Sequence, residues 1–319
     1  MKIAFLFAGQ GAQYVGMGQE LSDSSVFKEV FEYLPSNLQK ICFEGPAEDL
    51  NNTLNAQPCI VAVSLGIAKV LKSKGVDCEY AAGLSLGEYT ALAYSEAISV
   101  KDVLELVKKR SEIMSNAVPE NTGMAAIFNC EAKIIENVIK DIENLEIANY
   151  NSPKQIVITG SMNSIDEAIL RLKDLGYKSK KLNVSGAFHS SYLKNASEEL
   201  FSVLKEVEFK EPNKKIVFNT VGKTSDEDIK ILLKNQIKSS VKFMQSVEFM
   251  IENGVDTFIE IGPGKVLSGL VKQINPEVNI YQVESLESLI SAFGEVMESI
   301  VTLSVMSVSV SSANVGITY

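Results

Sequence analysis

Tryptophan is absent from the 319 residues, and histidine occurs once, as His189. A single imidazole excludes every site that needs two, such as a His-Glu-x-x-His zinc centre. Basic residues are outnumbered. With histidine neutral, 30 Lys and Arg against 40 Asp and Glu leave a net charge of −10. So acidic a chain is a poor general binder of nucleic acid or of an anionic membrane. Cysteine is sparse as well. Cys42, Cys59, Cys78 and Cys130 make no Cys-x-x-Cys pair, so zinc-ribbon and thioredoxin-type spacings are missing. They read as small core residues. The apolar run at residues 3–8 is too short for the core of a signal peptide and breaks into Gly9 and Gln10. It reads as a buried first strand, and the cytoplasm, with reduced thiols, is the expected compartment. What is present is ordinary for a globular chain. Hydrophobic residues are 46% and charged residues 22%, which excludes disorder and a disulfide-stapled mini-protein.

The chain then alternates. A strand at residues 2–7 leads into a glycine-rich loop at 9–18. An apolar helix is predicted over 57–74 with Gly75 behind it as a C-terminal stop. A short strand at 80–83 precedes a helix beginning at 88, and an amphipathic helix over 100–117 carries Arg110. Such alternation predicts an α/β fold with a largely parallel sheet. The middle differs. Strands at 123–128, 146–149, 155–160 and 178–184 with helices at 133–142 and 164–175 give the order β-α-β-β-α-β, which is ferredoxin-like. This predicts a subdomain at 123–186 inserted into a core made of 1–122 and 187–299. The core resumes with a strand at 214–219, helices at 226–235 and 241–253, a strand at 257–260, Gly262-Pro263-Gly264 and a helix at 266–272. Residues 300–319 carry no charge. Five serines and the alternation Val308-Ser309-Val310-Ser311 favour a strand-like or loose tail over a spanning helix.

Gly83-Leu84-Ser85-Leu86-Gly87 fits Gly-x-Ser-x-Gly between a predicted strand and a predicted helix, the setting of a nucleophile elbow. The flanking glycines permit a tight turn. The serine then sits at a helix N-terminus, where free N–H groups and the helix dipole stabilise a developing oxyanion. A serine nucleophile needs a base, and His189 is the one imidazole available. Its orienting partner stays open between a carboxylate and a neutral acceptor such as a backbone carbonyl. The loop at residues 9–13 lacks both phosphate-loop and dinucleotide patterns. Gln10, flanked by glycines, instead offers its N–H as a second oxyanion donor. Arg110 has two readings, a solvated helix face or a bidentate clamp for a substrate carboxylate.

Together and in order, Phe7-Ala8-Gly9-Gln10-Gly11-Ala12-Gln13, Gly83-Leu84-Ser85-Leu86-Gly87-Glu88-Tyr89, Arg110, Ala187-Phe188-His189-Ser190 and Ile261-Gly262-Pro263-Gly264 resemble the malonyl-CoA:acyl carrier protein transacylases of bacterial fatty-acid synthesis. The match runs to about residue 290. The resemblance implies an α/β-hydrolase-like core with a ferredoxin-like insert. It implies Ser85 as the nucleophile that carries the malonyl group, His189 as base and then acid, and the N–H groups of Gln10 and Leu86 as the oxyanion hole. Arg110 would pair with the malonate carboxylate. Gln236 matches the position whose backbone carbonyl orients the histidine, and Asn151 lies in a motif near the pocket. Phe188 resembles the malonyl-selective form, whose bulk disfavours an α-methyl group. Two positions depart from the family pattern: Leu84 stands where many members have histidine, and Ala8 where proline is frequent.

The implied reaction is ping-pong acyl transfer from malonyl-CoA to the thiol of acyl carrier protein, with no metal and no resident cofactor. The expected protein is a monomer that binds neither nucleic acid nor membrane. The rivals are a serine esterase or thioesterase, a methylmalonyl transferase and a non-catalytic carrier-binding scaffold. Acyl carrier proteins are acidic, so the net charge of −10 requires a local basic patch. Lys178, Lys180 and Lys181 are its candidates, against the alternative of lysines guarding a strand edge.

Overall fold

The computed structural model describes residues 1–184, 186–292 and 294. Among them nine strands form two sheets: β1 (Ile3–Phe7), β2 (Tyr80–Gly83), β3 (Thr122–Phe128), β4 (Leu145–Ser152), β5 (Gln155–Ser161), β6 (Lys178–Lys181), β7 (Lys215–Ile216), β8 (Thr257–Ile261) and β9 (Asn279–Val283). The first sheet runs β7-β2-β1-β8-β9, with every neighbouring pair parallel. β1 lies at its centre and is buried throughout. Alternation along the strand sorts its side chains. Phe5 and Phe7 join the cluster under the helix Thr53–Ser73. Ala4 and Leu6 join the opposite cluster with Phe243 and Val247. A parallel sheet covered on both faces needs such an unbroken apolar strand.

The helix Thr53–Ser73 begins where the Asn52 side chain accepts the Leu54 N–H at 3.0 Å. It is apolar almost all round, as a fully buried helix is. Its length and hydropathy would suit a membrane, but 83% of its apolar window is buried inside the protein. Each fully buried Ile or Leu here, such as Ile60, Leu65 and Ile67, contributes about 1.5–3 kcal/mol of transfer free energy.

The second sheet is antiparallel in the order β4-β5-β3-β6. With the helices Ala132–Ile139 and Met162–Asp174 it makes the β-α-β-β-α-β unit expected from the sequence. The helices cover the face bearing Ala125 and Ile127. The other face, bearing Met124, Ala126 and Val157, meets Leu182 and Phe188.

Some expected elements are shorter. The strand expected over 178–184 ends at Lys181; the Leu182 N–H still donates to the Met124 carbonyl at 2.9 Å, and residues 183–184 are not in the sheet. The strand expected over 214–219 is Lys215–Ile216 alone, because Asn219 turns away to reach the first sheet's edge. The helix expected from 226 starts at Ile229, where Asp228 accepts the Lys230 N–H and caps it. The helices Ser25–Phe31, Ser36–Glu44, Ala47–Asn51 and Lys194–Glu206 and the strand β9 were not anticipated. The uncharged segment 300–319 lies outside the described residues.

Register sets up the site. Phe7 pairs with Gly83 on one side and Ile261 on the other, so β1, β2 and β8 end level. The loops at 9–13, 84–86 and 262–264 therefore open at one edge, the carboxyl edge where parallel α/β sheets bind ligands.

Candidate active site

Ser85 occupies the turn between β2 and the helix Gly87–Tyr94. Its φ is +52°, left-handed and strained for a residue with a side chain. The flanking glycines are sterically required. A Cβ on Gly83 would lie 2.1 Å from the Gly87 backbone, and one on Gly87 would lie 2.1 Å from the Phe7 carbonyl oxygen. His189 comes from the loop after β6 and is also left-handed, at φ +56°. Anchors tie that loop to the second sheet. The Ala187 N–H donates to Thr122 Oγ1 at 3.2 Å, and the Ser191 N–H donates to the Glu146 carboxylate at 3.1 Å.

Ser85 Oγ lies 2.8 Å from His189 Nε2, and His189 Nδ1 lies 3.0 Å from the Gln236 carbonyl oxygen. A carbonyl can only accept, so the proton is assigned to Nδ1. Nε2 is then unprotonated and accepts from the serine hydroxyl. The orienting group left open by the sequence is thus a neutral carbonyl. The Gln236 side chain also takes part. Its Nε2 donates to the Ser85 carbonyl at 2.9 Å, and its Oε1 accepts from Arg110 at 3.3 Å.

Arg110 is 1% exposed, which rules out the solvated-face reading. Its guanidinium donates to Gln57 Oε1 at 2.8 Å and to Ser85 Oγ at 3.0 Å, and it lies over the Tyr89 ring at 5.1 Å. No carboxylate forms an ion pair with it among the described residues, and its Nε has no partner. A buried cation without a counter-ion is costly. One lining a cleft is suited to an anionic ligand.

The cleft has a volume of about 800 Å3 and is lined by Gln10, Ser85, Arg110, Asn151, Phe188 and His189, among others. Leu86 is buried beside the serine. Neither the Gln10 nor the Leu86 N–H has a hydrogen-bond acceptor among the described residues. Asn151 spends its Nδ2 on Gln155 Oε1 at 2.8 Å, and its Oδ1 has no partner. Lys178, Lys180 and Lys181 lie outside the cleft lining, on the edge strand β6. Strand alternation divides them. Lys178 and Lys180 pair in register with Phe128 and Ala126, on the sheet face that also carries the cleft residues Met124 and Val157. Lys181 faces the helices, 2.5 Å from Asp166.

Three polar residues at the site were missed from the sequence. Gln57 is 1% exposed and joins Arg110 to Gln10, donating to Gln10 Oε1 at 3.2 Å. A lone amide in an apolar helical run was its visible signal. Glu88 is fully buried. Asn219 accepts the Ser85 N–H at 2.7 Å. Among the described residues no cluster of His, Cys, Asp and Glu is arranged to hold a metal.

Residues 4–299 match the acyl transferase domain family. The chain is 40% identical over 301 residues to the malonyl CoA-acyl carrier protein transacylase of Bacillus subtilis, covering 90% of this chain and 95% of that one. The chain belongs to the malonyl CoA-acyl carrier protein transacylase family. A crystal structure of the Clostridium perfringens transacylase superimposes with a TM-score of 0.91 at 41% identity, covering 95% of this chain and 100% of that one. A malonyl-transacylase in complex with a type II PKS acyl-carrier protein superimposes with a TM-score of 0.88 at 33% identity, covering 92% and 100%. As a transacylase-family member the chain is an acyltransferase of α/β-hydrolase-like architecture with an inserted antiparallel sheet.

The electrostatics bear on His189. Burial lowers the His189 pKa to about 4, and the Arg110 charge lowers it too, while the Gln236 carbonyl opposes both. His189 is therefore neutral, and competent as a base, down to about that pH. Placing a malonyl carboxylate on Arg110 would cancel one depressing cause and raise the His189 pKa in the complex. The acid limb of kcat with malonyl-CoA is expected at higher pH than the limb of kcat/KM. With acetyl-CoA, which brings no carboxylate, the two limbs should nearly coincide. Rate profiles from pH 4 to 8 check this, and acid limbs at about 6.5 for both substrates would contradict it.

Proposed function

We propose that the protein transfers the malonyl group of malonyl-CoA to the phosphopantetheine thiol of acyl carrier protein through a malonyl-Ser85 ester, supplying chain extension in fatty-acid synthesis. The observation that carries this is the buried Arg110, unpaired by any carboxylate and hydrogen-bonded to the Ser85 oxygen. A simple esterase has no use for a buried cation at its nucleophile. A dicarboxylic acyl group has one carboxylate to spare for it.

In the first half-reaction His189 Nε2 takes the Ser85 proton as Oγ attacks the thioester carbonyl. The Gln10 and Leu86 N–H groups receive the oxyanion. As the tetrahedral intermediate collapses, the carbon–sulfur bond breaks and imidazolium returns its proton to the coenzyme A sulfur. In the second half the carrier thiol gives its proton to His189 and its sulfur attacks the ester. The carbon–oxygen bond breaks and Ser85 recovers the proton. Arg110 holds the free carboxylate through both halves. Phe188 walls the cleft against an α-methyl branch, and Asn151 contributes to binding from β4.

Stoichiometric labelling of Ser85 by radiolabelled malonyl-CoA, followed by chase onto carrier protein, tests the assignment. Label lost to water at the same rate with and without carrier would favour a hydrolase instead. The reading has the enzyme work as a cytoplasmic monomer without a resident cofactor. Four buried free cysteines suit a reducing compartment. We divide the chain into a core of 1–122 and 187–299 and a subdomain of 123–186.

Carrier docking follows from charge. We place the carrier on the basic patch of β6, chiefly Lys178 and Lys180, which share a sheet face with the cleft wall. Lys181 contributes least, since Asp166 offsets its charge. Lys180→Glu is expected to raise KM for carrier protein by about tenfold at low salt and to leave KM for malonyl-CoA unchanged. Lys181→Glu should do clearly less. Equal effects on both substrates would refute the patch.

A further inference from the structure

The Asn219 side chain bridges the elbow. Its Nδ2 donates to the Gly83 carbonyl at 2.7 Å, and its Oδ1 accepts the Ser85 N–H at 2.7 Å. The amide orientation is unambiguous, because a carbonyl only accepts and an N–H only donates. Asn219 is 1% exposed, and its own N–H donates to Glu88 Oε2 at 2.6 Å. Glu88 stands three residues after Ser85, on the first turn of the elbow helix. A closed ring results: Ser85 to Asn219, Asn219 to Glu88, and Glu88 back to Ser85 along the chain. The Asn219 carbonyl is fixed in turn by the Lys242 N–H at 2.9 Å.

We infer that Asn219 and Glu88 are positioning residues that hold Ser85 in its left-handed turn and so keep its hydroxyl in register with His189. The inference rests on Ser85 being the acylated nucleophile. A residue at φ +52° drifts to ordinary backbone unless its surroundings hold it there. Asn219 grips both the entry and the centre of the turn, a task for a carboxamide, with one acceptor end and one donor end. An error of about 1 Å in a reacting group can cost about 100-fold in rate. Glu88 is needed as an acceptor and not as a charge. Burial lifts its carboxyl to about 8, against the pull of Asn219, Gln236 and Arg110. Its Oε1 has no hydrogen-bond partner among the described residues, so a proton there leaves Oε2 free to accept.

The test is single-turnover malonylation, with rates expressed per labelled site and melting temperature measured in parallel. Wild-type labelling of Ser85 comes first: its absence would sink the proposed function and the inference that rests on it, whereas a labelled wild type with a variant that fails the rates below sinks the inference alone. Asn219→Ala is expected to slow malonylation per site by about 30- to 100-fold at unchanged KM for malonyl-CoA. Glu88→Ala should slow it by about tenfold. Glu88→Gln keeps the acceptor and should stay within about threefold of wild type. A merely architectural role would lower the melting temperature and leave the rate per site intact, and that result in Asn219→Ala overturns the inference. Glu88→Gln as slow as Glu88→Ala also overturns it, since charge would then be the working feature. If Asn219→Ala does not fold, the two Glu88 variants decide the matter by themselves.

Discussion

His189→Ala is expected to slow malonylation of Ser85 by about 10^4-fold, with KM for malonyl-CoA nearly unchanged. The size follows from the absence of a substitute. The chain has no second histidine. The other partner of the serine oxygen, Arg110, is a donor and cannot take a proton. Losing the imidazole leaves a neutral hydroxyl facing the thioester. Only the oxyanion donors and bound orientation then lower the barrier. Gln236→Ala is the informative contrast. It keeps the carbonyl that orients Nδ1 and removes only the side-chain bonds to the Ser85 carbonyl and Arg110. Its rate should fall by no more than about tenfold. Rapid-quench labelling measures both, and a His189→Ala rate within tenfold of wild type would remove His189 as the base.

That contrast shows where sequence stops. The elbow was legible because its constraint is local: two glycines whose missing Cβ atoms let a helix touch a strand, with a serine between them. His189 was legible by elimination. Gln236 was reached only through the family resemblance, because every residue has a carbonyl and nothing in a sequence says which one is aimed at a ring nitrogen. Its side-chain bonds had no signal at all. Arg110 was ambiguous on an amphipathic helix until burial decided between clamp and surface. Asn219 and Glu88 meet across 131 residues of chain. Their pairing depends on the crossover that lays β7 beside β2, which no local pattern encodes. The three lysines looked like one patch in the sequence. Strand pleat splits them into two on the cleft side and one facing Asp166.

Arg110→Ala should reverse the acyl preference. The wild-type site buries a guanidinium with hydrogen bonds to Gln57, Gln236 and Ser85 but no ion pair among the described residues. A malonyl carboxylate fills that electrostatic gap, and acetyl does not. Removing one member of a buried charge pair typically costs about 2–5 kcal/mol, much of it from the charge left unpaired. kcat/KM for malonyl-CoA should therefore fall by about 10^3-fold. For acetyl-CoA the loss should stay below about tenfold, because its methyl group never engaged the cation and the base and elbow remain in place. Arg110→Lys keeps the charge but not the planar fork, so it should recover only part of the malonyl rate. Competition between malonyl-CoA and acetyl-CoA for Ser85 labelling reads the ratio directly. An Arg110→Ala enzyme that still favours malonyl would place the selectivity in another group of the cleft and strip Arg110 of its role as the clamp.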